Sequence, residues 1–278
     1  MKNVAPSSLL PDSPLAPMLK WAGGKRWLLQ CYPDIFPKNF KRYVEPFAGS
    51  AAVFFHLRPS SAVISDTNRE LIESYAAVRD NWSKVAGLLK RHNRMHSNEH
   101  YYRVRAASLR EPCARAARLL YLNRTCFNGL YRVNQQGYFN VPIGSKDSVL
   151  LSTDDFDGWA DALRNATLLV SDFETVIDDT DQRDFLFVDP PYTVTHNLNG
   201  FVKYNEVLFS WDDQIRLANA LSRALLRGVK VVATNADHIS IKKLYRQDFR
   251  VRPVNRQSLI GGTDSRRGTI SELLITSK

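Results

Sequence analysis

Phe185-Leu186-Phe187-Val188-Asp189-Pro190-Pro191-Tyr192 decides the fold. Four apolar residues with no polar alternation read as a strand buried on both faces, the habit of parallel sheets covered by helices. The strand stops at an acid and two prolines, so Asp189 falls at its carboxyl end. Other short β-rich runs end the same way. Tyr43–Glu45 precedes Pro46-Phe47-Ala48-Gly49-Ser50, Ala62–Ser65 meets Asp66, Thr167–Val170 meets Ser171-Asp172, and Val229–Ala233 meets Thr234-Asn235. Helical periodicity fills the gaps, as in Asp213–Leu226 and Trp159–Ala166. Strands alternating with helices predict an α/β fold: a Rossmann-like, doubly wound, mostly parallel sheet whose ligands gather outside the strands' carboxyl ends.

Between the second and third strands the pattern changes. Residues 68–130 are largely helical and Arg-rich, and Tyr131–Asn134 and Tyr138–Pro142 form two β-type runs around a Gly-containing turn, a hairpin signal. The expected organisation is a mobile arm over 1–17, a catalytic domain over 18–67 and 153–278, and an inserted helical and β-hairpin lobe over 68–152. The arm carries four prolines and lacks the charged start and apolar stretch of a secretion signal. No run is long and apolar enough for a membrane span, and Cys31, Cys113 and Cys126 form no CxxC pair. These features predict a cytoplasmic protein without a disulfide framework or metal site.

The net charge of +10 points to an anionic partner. Nine arginines between positions 91 and 132 face only Glu99 and Glu111, and a second basic excess spans Lys242–Arg267. Arginine is the cation suited to bidentate phosphate and guanine contacts, so nucleic acid is the expected partner.

The chemistry concentrates at Asp189–Tyr192. Two prolines stiffen the backbone and remove two amide donors, leaving carbonyl acceptors. A carboxylate, a rigid carbonyl and an aromatic ring suit a planar exocyclic amine. Accepting the N–H hydrogens of such an amine at Asp189 and at the Pro190 carbonyl frees a lone pair otherwise delocalised into the base. Tyr192 can stack on a base held outside the duplex. Lys20-Trp21-Ala22-Gly23-Gly24-Lys25 combines an aromatic, two glycines and two cations. Glu45–Ser50 is a Gly-containing loop after a strand, and Asp66 stands where dinucleotide folds receive ribose hydroxyls.

KWAGGK, EPFAGS, ISDTN, SDFE and DPPY, in that order and with the insertion between ISDTN and SDFE, resemble the Dam family of adenine-N6 DNA methyltransferases. Leu122–Asn134, Gly137 and Phe139–Pro142 resemble that family's DNA-recognition hairpin, and Gly261-Gly262 and Ser271–Leu274 also fit. The resemblance implies methyl transfer from S-adenosylmethionine, without a metal, to an adenine flipped from duplex DNA, with GATC as the expected target. It implies a bacterial or phage setting and a monomer that can accompany a restriction endonuclease. Trp21, Ala22, Gly23 and Lys25 would meet the methionine end of the cofactor, beside the loop of Phe47 and Gly49. Asp66 would take the ribose hydroxyls, and Asp172 and Phe173 the cofactor adenine. Asp189, also beside the cofactor, would hold the target with Pro190, Pro191 and Tyr192. Arg132 and Leu130 would read base edges with Lys20 and Pro142, Phe127 would wedge into the stack, and Asn128 would contact the orphaned base. Arg105, Arg124 and Asn134 would lie on phosphates.

Two positions depart from the family pattern. Ala51 replaces the second glycine of the FxGxG loop, which is tolerable at negative φ and costly otherwise. Cys126 replaces a glycine just before the wedge residue and bears on target preference. Two alternatives complete the expectations: an N4-cytosine methyltransferase, since D-P-P-Y suits any exocyclic amine, and a catalytically silent DNA-binding protein of the same fold.

Overall fold

The computed structural model describes residues 14–134, 136–193, 209–257 and 269–278. Seven strands form one sheet: β1 (Tyr43–Glu45), β2 (Ala62–Asp66), β3 (Ala166–Val170), β4 (Phe185–Val188), β5 (Lys230–Ala236), β6 (Arg250–Gln257) and β7 (Thr269–Thr276). Their order is β3-β2-β1-β4-β5-β7-β6. The first five are parallel and in the expected places; β1 pairs with both β2 and β4, so the order reverses there. This reversal opens a crevice at the carboxyl ends of β1 and β4, where EPFAGS and DPPY emerge. β4 is buried at all four positions, which accounts for its unbroken apolar run.

β6 and β7 are antiparallel and close the other edge. No strand was expected at β6, whose sequence is charged and holds Pro253. An edge strand tolerates both, since one side of its backbone needs no partner.

Nine described helices cover the sheet and build the insertion: α1 (Arg26–Cys31), α2 (Ala52–Leu57), α3 (Arg69–Arg94), α4 (Asn98–Ala106), α5 (Pro112–Thr125), α6 (Phe156–Leu163), α7 (Phe173–Asp178), α8 (Trp211–Leu226) and α9 (Ile239–Tyr245). Ser210 and Asp213 cap α8 reciprocally. Helix α3 begins at the Asn68 cap and bends at Asn81, where φ is −154°. Its buried Leu71, Ile72, Tyr75 and Val78 precede the bend, and Val85 and Leu89 follow it. All six belong to one apolar cluster that also holds Tyr43 and Ile64 of the sheet and Leu119 and Tyr121 of α5. Sheet and insertion thus share a continuous core across the 67/68 boundary.

Residues 1–13 of the expected arm lie outside the described residues, as do Gly261 and Gly262. Residues 14–17 of that arm pack against the rest of the chain: Leu15 is buried, and the Trp159 indole N–H donates to the Ala16 carbonyl at 2.7 Å. Among the described residues no helix is long and apolar enough to cross a membrane.

Candidate active site and DNA-facing groove

A groove of about 3090 Å³ runs between sheet and insertion, lined by Trp21, Asp66, Phe127, Arg132, Asp189 and Tyr192 among others. At its floor Lys25 is buried, and its ammonium lies 2.8 Å from Asp189 Oδ1 and 3.6 Å from Glu272 Oε2, while donating to the Gly23 carbonyl at 2.6 Å. The Thr234 hydroxyl also donates to Asp189 Oδ1, at 2.6 Å. Both bonds fall on Oδ1, and among the described residues Oδ2 takes no hydrogen bond. Burial lifts the Asp189 carboxyl above its ordinary pKa, and Lys25 and Thr234 hold it back. Tyr192 donates to Glu272 Oε2 at 2.7 Å. Burial and the charges of Asp189 and Glu272 push its phenol well above the ordinary value, so it stays a neutral ring beside the carboxylate. Arg256 takes the other Glu272 oxygen. Lys25, expected at the methionine end of the cofactor, pairs in this structure with Asp189 and Glu272 at the DPPY turn.

Behind the turn, Gln214 donates to the Pro191 carbonyl at 3.5 Å and accepts from Asn235 at 3.0 Å. Both side chains are buried. A glutamine in α8 and an asparagine at the end of β5 thus brace the Pro-Pro backbone from beneath.

The loop after β1 turns tightly. Gly49 has φ +46°, and a Cβ there would meet Trp21 Cδ1 at 2.8 Å, so only glycine fits. Its amide donates to Asp66 Oδ2 at 3.1 Å, and the Asn68 amide donates to Oδ1 at 2.9 Å. Burial raises the Asp66 carboxyl and these amides oppose the rise. Ala51 also has positive φ, at 49°. The unfavourable branch of the sequence expectation therefore applies, and the alanine carries a backbone cost of about 1–2 kcal/mol. Phe47 stacks on Phe173 with centroids 5.3 Å apart. Arg216 lies over the Phe173 ring at 4.8 Å and pairs with Asp172 at 2.9 Å.

On the insertion side, Phe127 is 52 % exposed and Asn128, at φ +54°, projects beside it. Leu130, Arg132 and Pro142 are exposed as well. The Arg132 Nε donates to Asn140 at 2.8 Å, which orients the guanidinium. Lys20 donates to the Asn128 carbonyl at 2.7 Å, and its backbone is clamped on both sides by the buried Asn123. The expected β-hairpin reduces to one antiparallel bridge, Val133 with Phe139. The Asn134 side chain spends its oxygen on the turn, accepting from the Gln136 and Tyr138 amides. Arg105 is half-buried over Tyr102 and donates to the Val141 carbonyl at 3.2 Å.

Arg124 corrects an expectation. Rather than facing phosphates, it is buried and forms a two-pronged pair with Asp154, both bonds 2.8 Å, with a further bond to the Val149 carbonyl. Cys126 is likewise inward: buried, with its thiol 3.2 Å from the Leu130 carbonyl and pushed by burial up to about 11. Sequence reading missed Thr234, Glu272, Gln214, Asn123 and Tyr131. Thr234 left a trace as the end of a strand, Glu272 within the Ser271–Leu274 match, and Asn123 and Tyr131 within the Leu122–Asn134 match, whereas Gln214 appeared only in a helical run.

Fold and site together point to a nucleic-acid-modifying enzyme of the methyltransferase type: a switch-point crevice, a half-buried carboxylate on a Pro-Pro turn and a basic facing surface. A profile of the D12 class N6 adenine-specific DNA methyltransferases matches residues 21–260, and the chain belongs to this family. It is therefore an adenine-specific DNA methyltransferase, whose class uses S-adenosylmethionine as donor and DNA as substrate. It is 34 % identical over 272 residues, 95 % of each chain, to the type II methyltransferase M1.LlaDCHI of Lactococcus lactis subsp. cremoris. It is 30 % identical over 266 residues, 94 % of each, to the DNA adenine methylase of Escherichia coli strain K12. The DNA N-6-adenine-methyltransferase of Escherichia phage P1 matches at 33 % over 262 residues, 92 % of this chain and 35 % of the phage protein. The N4-cytosine and silent-binder alternatives give way to this assignment.

Proposed function

We propose that Asp189, Pro190, Pro191 and Tyr192 receive an adenine extruded from duplex DNA, and that the sequence read is GATC. The observation that carries this reading is the asymmetric use of the Asp189 carboxylate. Lys25 and Thr234 fix Oδ1, and Oδ2 is left to accept one N6 hydrogen while the Pro190 carbonyl accepts the other. Accepting both N–H hydrogens polarises those bonds toward nitrogen and favours a pyramidal nitrogen with an available lone pair. Lys25 keeps Asp189 ionised against the cost of burial, and Tyr192 offers its ring face to the base.

The residues around Gly49 fit the cofactor. Asp66 presents a half-buried carboxylate at a strand end, Phe47 and Phe173 form an aromatic wall, and the glycine lets backbone approach closely. When bound, S-adenosylmethionine supplies a sulfonium-activated methyl group. Asp66 would take its ribose hydroxyls, Asp172 and Phe173 its adenine, and Trp21, Ala22 and Gly23 its methionine end. The protein's own contribution is positioning and exclusion of water.

On the other wall, Arg132 and Leu130, with Lys20 and Pro142, read base edges. Phe127 fills the vacated stack, Asn128 meets the orphaned base, and Arg105 with the outward edge of Asn134 lies along phosphates. We place this activity in the cytoplasm, on bacterial or phage DNA. Incubation with adenine-unmethylated DNA, followed by nucleoside mass analysis and sequence mapping, tests the reading. N6-methyladenine confined to GATC is expected. N4-methylcytosine, or N6-methyladenine at sites unrelated to GATC, would overturn it.

A further inference from the structure

Tyr131 lies between Leu130 and Arg132, the two residues we read as facing bases, and is half-buried where it lines the same groove. Its ring stacks on Trp21 with centroids 5.0 Å apart and planes 23° from parallel, the offset geometry that aromatic pairs favour. Its hydroxyl donates to Glu70 Oε2 at 3.0 Å. Its far edge meets Phe139, the partner of Val133 across the recognition turn. Tyr131 therefore touches three things at once: the KWAGGK loop, the segment following Asp66, and the core of the recognition turn. Glu70 extends the connection. Its Oε1 accepts from Arg118 at 2.9 Å, and Arg118 donates to the carbonyls of Val104 and Arg105 at 3.0 and 2.8 Å. The residue we place on phosphate, Arg105, is thereby tied through two side chains to the helix that begins just after Asp66.

We propose that Tyr131 is a positioning residue that makes cofactor binding and DNA reading mutually dependent, by fixing the Leu130–Arg132 segment against Trp21 and Glu70. The inference rests on the reading of Trp21 and Asp66 as cofactor residues. A ligand that orders the Trp21 loop also orders the face on which Tyr131 stacks, and so lowers the cost of ordering the recognition turn for DNA. By linkage the effect is reciprocal. The hydroxyl adds a second attachment, since burial and the nearby Glu70 charge keep the phenol protonated and donating.

Calorimetric titration tests this with S-adenosylhomocysteine, which binds without turnover, in the absence and presence of a short duplex carrying the mapped methylation site. For the wild-type protein each ligand should tighten the other about tenfold, within the usual range of such couplings. Tyr131→Leu should leave each ligand alone bound within about twofold of wild type while cutting the mutual tightening at least threefold. Tyr131→Phe, which keeps the ring and loses only the Glu70 bond, should fall between them. Wild-type protein with no mutual tightening would overturn the proposal. So would a Tyr131→Leu protein with undiminished tightening, or one that loses both single-ligand affinities together with thermal stability; should that variant not fold, undiminished tightening in Tyr131→Phe decides against it. Asp66→Ala is the separate control. Unchanged S-adenosylhomocysteine affinity in that variant refutes the cofactor site itself, whereas a weakened Asp66→Ala beside unaltered coupling in the Tyr131 variants refutes only the role of Tyr131.

Discussion

Arg124→Ala separates a structural arginine from a phosphate-binding one. The guanidinium has 4 % of its side-chain surface accessible, and its partner Asp154 has 11 %. Truncation removes two charge-assisted bonds to Asp154 and the bonds to the Val149 and Met18 carbonyls, and leaves a buried carboxylate facing an empty space. Breaking one side of a buried pair costs about 3–5 kcal/mol, a large part of the roughly 5–15 kcal/mol of a typical domain. For a chain of this size the melting temperature should fall by roughly 6–20 °C, at about 2–4 °C per kcal/mol. Asp154→Ala should do at least as much harm, and the double variant Arg124→Met/Asp154→Leu should recover much of the loss, because the desolvated charge is gone from both sides. Scanning calorimetry reads the stability, and DNA affinity as a function of salt reads the phosphate contact. The expected result is a lowered melting temperature with an unchanged salt slope. A slope reduced by about one with unaltered thermal stability would refute the assignment and restore Arg124 to the DNA surface.

Asp189→Ala should abolish methyl transfer while leaving the fold and DNA affinity largely intact, checked by nucleoside analysis beside circular dichroism and binding; substantial turnover would contradict its role. Because the Asp189 pKa is raised by burial and held back by Lys25, activity should fall as pH drops through a midpoint above the ordinary value of about 4. Lys25→Met removes the restraining charge and should move that midpoint higher, so a lower or fixed midpoint counts against the pairing. Phe127→Ala should slow methylation of a normal A·T target strongly, a mismatched target much less, and the melting temperature hardly at all, since the ring is half exposed. Equal slowing of both substrates would sink the wedge role. Gly49→Ala, which drives a methyl into Trp21 at positive φ, should weaken S-adenosylhomocysteine binding by about 1–3 kcal/mol, and unaltered calorimetric affinity would show that the loop can give way.

The parallel half of the sheet is legible because its strands are short apolar runs that meet an acid or amide, a pattern that burial and a polar crevice beyond fix in β1, β2, β4 and β5, while β3 keeps the run at an exposed edge. β6 was not legible, because Arg250-Val251-Arg252-Pro253 describes an edge whose outer side needs neither apolar residues nor amide donors. The motif residues around the crevice were readable as types, but their pairings were not. Nothing local to KWAGGK says that Lys25 meets Asp189 rather than a ligand. Arg124 shows the same limit from the other side: an arginine in a basic helix looks the same in sequence whether it meets phosphate or a buried aspartate thirty residues on. At Ala51 the sequence poses a question of φ that only the backbone answers.

The contact of Lys25 with both Asp189 and Glu272 has a consequence for how the enzyme comes into being. The three residues lie near the start, in the last third and almost at the end of the sequence, and Glu272 rides on a strand that must slot between β5 and β6. In a chain emerging from the ribosome the lysine stays without the second carboxylate, and Tyr192 without Glu272, until β7 has inserted. Pairings this distant in sequence form late. The full set of contacts among Lys25, Asp189, Tyr192 and Glu272 therefore exists only once β7 has taken its place between β5 and β6.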